Sequence, residues 1–342
     1  MCLSPAWQID LPSTYLPFGT TVADVNGDGH EDVLIATDFS GLIGYLGDGA
    51  GNFSAMGTFP FAELQVPERI VTGDFDGDGN LDLVVPSFGN DTVVVYLGAG
   101  NGTFQPNPVA YPTGQRPTAA AVADFDGDGR LDFAASLEPG NALVFMGYGD
   151  GGFATGAPVT TGAWAHIIVA ADFNRDGKPD LATIDNSSNT VSEMLGFGDG
   201  GFAAPAPFNV GNRPLAMAVG DFNGDGTPDL VVANSADNTL SELIAYGDGG
   251  FAPQVVLPVS GQLEEQSVTV GDFNADGIDD FASVDDNFLV SIFPSNAAQT
   301  GITVTPAIVI AAGHFDESKP NDDIVVSLGT HYQLQFVLTG CP

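Results

Sequence analysis

Six short segments of the 342-residue chain carry oxygen-bearing side chains at a spacing that suits metal chemistry. The first places Asp24, Asn26, Asp28, His30 and Asp32 at alternate positions of a nine-residue loop. The pattern returns as Asp74, Asp76, Asp78, Asn80 and Asp82, then as Asp124, Asp126, Asp128, Arg130 and Asp132. It returns again as Asp172, Asn174, Asp176, Lys178 and Asp180, and as Asp221, Asn223, Asp225, Thr227 and Asp229. Asp272, Asn274, Asp276, Ile278 and Asp280 complete the set. Side-chain oxygens stand at positions 1, 3, 5 and 9, the residue at 7 can add its backbone carbonyl, and a glycine at 6 permits the sharp turn. Several carboxylates with a carbonyl, and neither thiolate nor imidazole among the side-chain ligands, favour Ca²⁺ over Zn²⁺. Left without a cation, carboxylates this close would repel one another. About six Ca²⁺ ions are therefore expected.

A seventh copy has decayed. His314 stands where the first Asp is expected, Ser318 at the third ligand position and Lys319 at the turn glycine, with Asp322 read as the ninth position. No Ca²⁺ is expected there; the Lys319 ammonium near Asp316 and Asp322 can stand in for it.

The copies recur about every 50 residues, a period of array architectures. Within one period the chain reads as strands. In the third, Thr118 to Ala123 runs into the acidic loop and Leu131 to Ser136 leaves it. A turn at Glu138-Pro-Gly-Asn141 leads to a third strand, Ala142 to Met146, then a glycine-rich hairpin and a fourth, Pro158 to Thr161. Four short strands per repeat make one blade, so the fold class is all-β: a seven-bladed propeller of four-stranded antiparallel blades in a single domain spanning 1–342. The residue before each loop is Ala or Gly, suiting an inner strand crowded at a central axis. The second loop residue is Phe in six copies and Val25 in the first, a wedge between blades or simply core.

The ends complete the ring. The chain finishes on a segment that reads as a third strand, Tyr332 to Gly340, and begins with one that reads as a fourth, Trp7 to Pro12. Residues 1–14 are therefore expected to supply the outer strand of the last blade. Cys2 and Cys341, the chain's two cysteines, fall on either side of this closure. A Cys2–Cys341 disulfide is expected, and with it an oxidising, secreted or cell-surface setting. No export-signal pattern precedes Cys2, so any such signal is expected to have been removed or never to have been part of this sequence.

The sequence resembles the FG-GAP/VCBS repeat family, on its Asp loops and their flanking Phe and Gly, over nearly its whole length. The resemblance implies a seven-bladed propeller with Ca²⁺ in the loop between the first two strands of a blade. It further implies the company of the integrin α-chain head, whose protein ligands bind the opposite face, and of fungal propeller lectins, which bind sugars between blades. It transfers fold and calcium better than ligand.

Charge narrows the partners. With 44 acidic against 7 basic residues the formal net charge is −37, yet 44% of residues are hydrophobic, so the chain can bury a core. So few cations exclude nucleic acid. No apolar run is long enough for a membrane helix, and membrane insertion is not expected. A monomer is expected. Arg69, Arg116 and Arg213 stand five to eight residues before a loop, and Trp164 and His166 occupy the matching segment of the fourth repeat. Strand direction puts them on the face opposite the calcium, where they offer a site for a carbohydrate or a protein ligand. The same Arg-Pro and Asn-Thr pairs also serve as fasteners and turn formers. A binding or adhesion module is the leading reading. The alternatives are a purely structural repeat domain and a polysaccharide-cleaving enzyme, for which His166, Arg116 and Arg213 are the candidates; no nucleophile motif stands near a histidine.

Overall fold

A computed structural model of the chain describes residues 3–10, 17–37, 41–59, 69–259, 263–285, 289–295, 300–303, 307–315, 321–328 and 333–339. Its strands form seven antiparallel four-stranded sheets. Blades 1 to 6 are built from residues 17–59, 71–112, 116–163, 165–209, 214–258 and 263–303. Blade 7 takes three strands from residues 307–339 and its outer strand, Leu3–Asp10, from the N-terminus. Leu3 pairs with Thr339 and Asp10 with Gln333, so the ring closes as the two ends of the sequence require. Cys2, Cys341 and the expected disulfide lie outside the described residues, as do residues 316–320 with Lys319. Among the described residues no helix is long and apolar enough to cross a membrane.

Burial explains why each strand is composed as it is. The second strand of a blade is covered on both faces by neighbouring blades, and all six residues of Asp32–Thr37, Asp82–Ser87, Asp180–Asp185 and Asp229–Asn234 are buried. These strands read as near-continuous apolar runs between a starting Asp and a small polar end. Outer strands such as Val109–Pro112 and Ala206–Asn209 are mostly exposed. The inner strands of blades 1 and 3–7 carry a register shift near their start, at Pro117/Ala119 in blade 3 and Pro214/Ala216 in blade 5. Such a bulge bends the chain as it enters a new blade.

The aromatic at loop position 2 is the wedge between blades. Phe75, Phe125 and Phe173 are buried and meet Phe153, Phe202 and Phe251 of the next blade edge-on, with centroids 5.4 to 5.5 Å apart. Phe222 meets Phe281 at 5.0 Å in the same way.

The small residue before the loop is crowded by the next blade: a Cβ on Gly220 would lie 2.7 Å from Val270 of its inner strand, and one on Gly313 2.6 Å from Val22. A Cβ on Gly73 would lie 2.8 Å from Leu131 of the next blade. On Gly220, Gly271 and Gly313 it would meet Asp279, Asp322 and Glu31 at 3.1 Å or less. The eighth loop residue of the following blade adds to this crowding. Where that residue is acidic it also accepts a backbone N–H: Asp279 Oδ2 from Asp221 at 2.8 Å, Asp322 Oδ2 from Asp272 at 2.9 Å, and Glu31 from His314. Strand pairing also corrects the seventh loop. Gly313 pairs with Asp323, as Ala23 pairs with Asp32, so Asp323 is the ninth-position residue and Asp322 the eighth. The decayed loop is one residue longer than the others.

Candidate functional site

Each acidic loop is wound by its own carboxylates. In the first, Asp24 Oδ1 accepts the N–H of Gly27 at 2.8 Å and Oδ2 that of Gly29 at 2.8 Å. Asn26 Oδ1 accepts from Asp28 at 2.8 Å, and Asp28 Oδ1 from His30 at 2.9 Å. The second and third loops repeat these bonds, and the fourth to sixth keep the bond from the glycine at position 6 to the first Asp. Glycine at position 6 takes φ between +81° and +90° in all six, a conformation that other residues adopt at a cost. The winding gathers the remaining oxygens. In the second and third loops, carboxylate oxygens of Asp74, Asp76 and Asp78, and of Asp124, Asp126 and Asp128, lie within 4.8 Å of one another. Asn26, Asn174, Asn223 and Asn274 stand at the third position of the other loops and bring a neutral amide oxygen.

The ninth-position Asp lies beneath. Asp32, Asp82, Asp180, Asp229 and Asp280 have no exposure and Asp132 almost none. In five loops one oxygen accepts the N–H of the second loop residue, as Val25 to Asp32 at 3.0 Å, and the other that of the residue closing the third strand, as Gly47 to Asp32 at 2.9 Å. Burial pushes Asp32, Asp82, Asp180, Asp229 and Asp280 up to about 6, and Asp132 upward too. In the sixth loop, Asp280 Oδ2 is buried with no hydrogen-bond partner. An all-oxygen donor set with crowded carboxylates and one orphaned buried oxygen fits a hard divalent cation. The chain's own cations already settle on position 5: Arg130 Nη1 is 3.2 Å from Asp128, Lys178 Nζ 3.8 Å from Asp176, and Arg175 Nη2 2.8 Å from Asp225.

At the opposite end, Arg116, Trp164 and Arg213 hold equivalent places where the chain enters blades 3, 4 and 5. Trp164 is 47% exposed and Arg213 follows a buried-to-exposed turn; both take positive φ, +64° and +55°. For a Trp that backbone is an outlier, held here against its preference. Two cavities flank the Trp164 ring. One, of about 330 Å³, is lined by Asp91, Gln115, Arg116, Glu138, Pro139 and Trp164. The other, of about 340 Å³, adds His166, Asn186, Ser187, Arg213 and Leu215 to Glu138 and Trp164. Arg116 lies 5.0 Å over the Phe88 ring, and Arg213 donates its backbone N–H to Asn189 Oδ1 at 2.9 Å. His166 Nδ1 faces Glu138 Oε1 at 3.8 Å.

Four of the five residues expected for ligand binding therefore come together: Arg116, Trp164, His166 and Arg213. Arg69 does not join them. It lines a separate central cavity of about 200 Å³ with Thr20, Ala120, Val169, Val268 and Ile310 from the inner strands. Glu138 serves both flanking cavities, a role its turn motif did not reveal.

A family model for FG-GAP-like repeats matches residues 24–85, 87–135, 133–183, 172–232 and 221–283. The chain belongs to the FG-GAP-like repeat family. No curated protein sequence matches it. Among solved structures, this FG-GAP propeller is similar to the BP39L lectin from Burkholderia pseudomallei, with 17% identity over 95% of this chain and 96% of the lectin and a TM-score of 0.71. It is also similar to BBS1N, solved in complex with ARL6DN, with 10% identity over 99% of this chain and 97% of the other and a TM-score of 0.71. At these identities the likeness carries the fold, and the acidic loops and the Trp164 cavities remain features of this FG-GAP chain to be read from its own residues.

Proposed function

We propose that the protein is a secreted or cell-surface, calcium-loaded, monomeric binding module whose carbohydrate ligand docks against Trp164 at the end of the ring away from the acidic loops. One observation carries this reading: a half-exposed indole held at positive φ between two polar cavities. An indole face is a platform for the C–H face of a sugar ring. The Arg116 and Arg213 forks donate to hydroxyls or carboxylates, and Glu138 and Asn186 complete the polar set. Likeness to a propeller lectin supports a sugar as the ligand. A protein partner with an acidic side chain is the second reading, favoured by the two arginines at equivalent blade entrances.

Calcium's part is structural. Held by the side chains of positions 1, 3, 5 and 9 and the carbonyl of position 7, it would supply the positive charge that lets these carboxylates stand together. The loops sit between the first two strands of blades whose other end carries the cavities, so their order holds the blade entrances in place. A glycan array probed with the calcium-loaded protein tests the function. Binding to a defined set of glycans that disappears in Trp164→Ala supports it; silence across the array, or uronide release from polysaccharides, contradicts it.

A further inference from the structure

The hairpins between third and fourth strands lie at the same end as the acidic loops and rest on them. Gly151 N–H donates to Phe75 O at 3.1 Å and Gly200 N–H to Phe125 O at 3.0 Å, each hairpin leaning on the loop of the preceding blade. The hairpins begin at equivalent bridges: Gly47 with Phe53, Gly98 with Phe104, Gly147 with Phe153, Gly196 with Phe202 and Ala245 with Phe251. The next residue is Asp48 in blade 1 and Ala99 in blade 2, but Tyr148, Phe197 and Tyr246 in blades 3, 4 and 5. These three aromatics are 56, 55 and 64% exposed. Burial is the ordinary fate of a Phe in this chain, so three rings left in solvent at one structural position need a reason.

The rings of Tyr148 and Phe197 are platforms with one face already fixed. A Cβ on Gly152 would lie 3.3 Å from the Tyr148 ring, and one on Gly201 3.3 Å from the Phe197 ring, so each ring lies over its own hairpin's glycine. Two residues after each ring comes an exposed carboxylate: Asp150, Asp199 or Asp248. Asp150 and Asp199 each spend one oxygen on their own turn, at 3.0 Å. A cationic side chain flanks each hairpin as well. A Cβ at Gly149 would lie 2.8 Å from Arg130, at Gly198 2.9 Å from Lys178, and at Gly247 3.5 Å from Arg175. At the loop position of Arg130 and Lys178 blade 2 has Asn80 and blade 5 has Thr227, and the blade 5 hairpin meets Arg175 from the loop of blade 4 instead.

We propose that the tips of blades 3, 4 and 5 form a second binding surface, independent of the Trp164 cavities, for a linear uncharged polysaccharide. Ring, hydroxyl acceptor and hydroxyl donor recur once per blade, and a surface that repeats its chemistry matches a ligand that repeats its own. The stacking face meets the C–H face of a sugar, and the carboxylate and the cation address its hydroxyls. A polyanion is disfavoured: each cation is paired with Asp128, Asp176 or Asp225, an Asp stands beside every ring, and the net charge is −37.

Affinity electrophoresis of the calcium-loaded protein in gels cast with hydroxyethyl cellulose, galactomannan, dextran or alginate tests this. Retardation is expected in at least one of the three neutral gels. Tyr148→Ala/Phe197→Ala/Tyr246→Ala should weaken it by about tenfold or more with an unchanged melting curve, since the rings are exposed. Tyr148→Phe/Tyr246→Phe should keep it, and so should Trp164→Ala/Arg213→Ala, which separates this surface from the other. No retardation in any neutral gel, retardation in alginate alone, or equal retardation of the triple alanine variant would overturn the proposal.

Discussion

Blades 3 to 5 and the arc running from blade 6 through 7 to blade 1 solve the same packing problem with different residues. In the second arc the eighth loop residue is acidic at each described junction: Asp279, Asp322 and Glu31 reach back to bond the backbone of the preceding loop. Between blades 2 and 3 the same place is held by Leu131, packed over Gly73. The first arc carries the chain's rarest groups instead. Arg116, Arg130, Arg175, Lys178 and Arg213 are five of its seven basic residues, and Tyr148, Trp164, Phe197 and Tyr246 are its exposed aromatics among the described residues. What repeats around the ring holds it together, and what departs from the repeat toward cations and bare rings marks where another molecule would be met. The arc that closes the ring joins its blades through acidic loop residues, while blades 3 to 5 join through other polar pairs, Arg175 with Asp225 and Asn189 with Arg213 among them.

The largest effect sharpens the shared part. Removing calcium should lower the melting temperature steeply, because each ion at a hundredfold its Kd adds about 2.7 kcal/mol by mass action. Calorimetry of decalcified protein should count about six sites. A melt indifferent to chelator would break the structural role assigned to the loops in both arcs.

A smaller effect separates the seams. Glu31→Ala strips the acceptor from the His314 N–H at the ring closure, and urea denaturation should register a loss of about 1–3 kcal/mol. Glu31→Gln keeps a carbonyl oxygen and should cost less. If both variants match the native protein, the acidic seam holds nothing.

The smallest effect lies inside blade 4. Asp185 is buried, accepts from Ser192 Oγ at 2.6 Å and Thr190 Oγ1 at 3.3 Å, and leaves Oδ1 without a partner. Blade 5 has Asn234 in the same place, bonded to Ser241 and Thr239. Burial pushes the Asp185 carboxyl up. The native state therefore holds that proton more tightly than the unfolded chain, and stability at this site grows as pH falls through the native value. Asp185→Asn should leave neutral-pH stability unchanged or slightly raised and flatten this part of the pH dependence. A clear loss of stability at pH 7 would show that the charge is needed.

The fold was legible because its signal is redundant. Six loops in phase define the period, and the glycine at position 6 and Phe at position 2 fix each turn and wedge. Ring closure followed from which strand type stood at each end. The seventh loop's extra residue was not legible, since only the pairing of Gly313 with Asp323 shows which Asp takes the ninth place. Nor did sequence distance distinguish Arg69, which lies just before the inner strand of blade 2 and lines the central cavity, from Arg116 and Arg213. The exposed rings at the hairpin tips were hidden by their glycine-rich setting, which reads as turn chemistry. Their signal was an aromatic after the bridging residue in three consecutive repeats, where the first two have Asp48 and Ala99.

The assignment of glycan binding to the Trp164 cavities is tested most directly by measuring the binding of an array-identified glycan to Trp164→Ala/Arg213→Ala and to Asp128→Ala side by side. The account predicts that the double variant loses binding while its calcium count and melting temperature stay native, and that Asp128→Ala loses stability first. A double variant that binds that glycan normally, beside an Asp128→Ala protein that stays folded and does not bind it, would place the site at the calcium end and contradict the account.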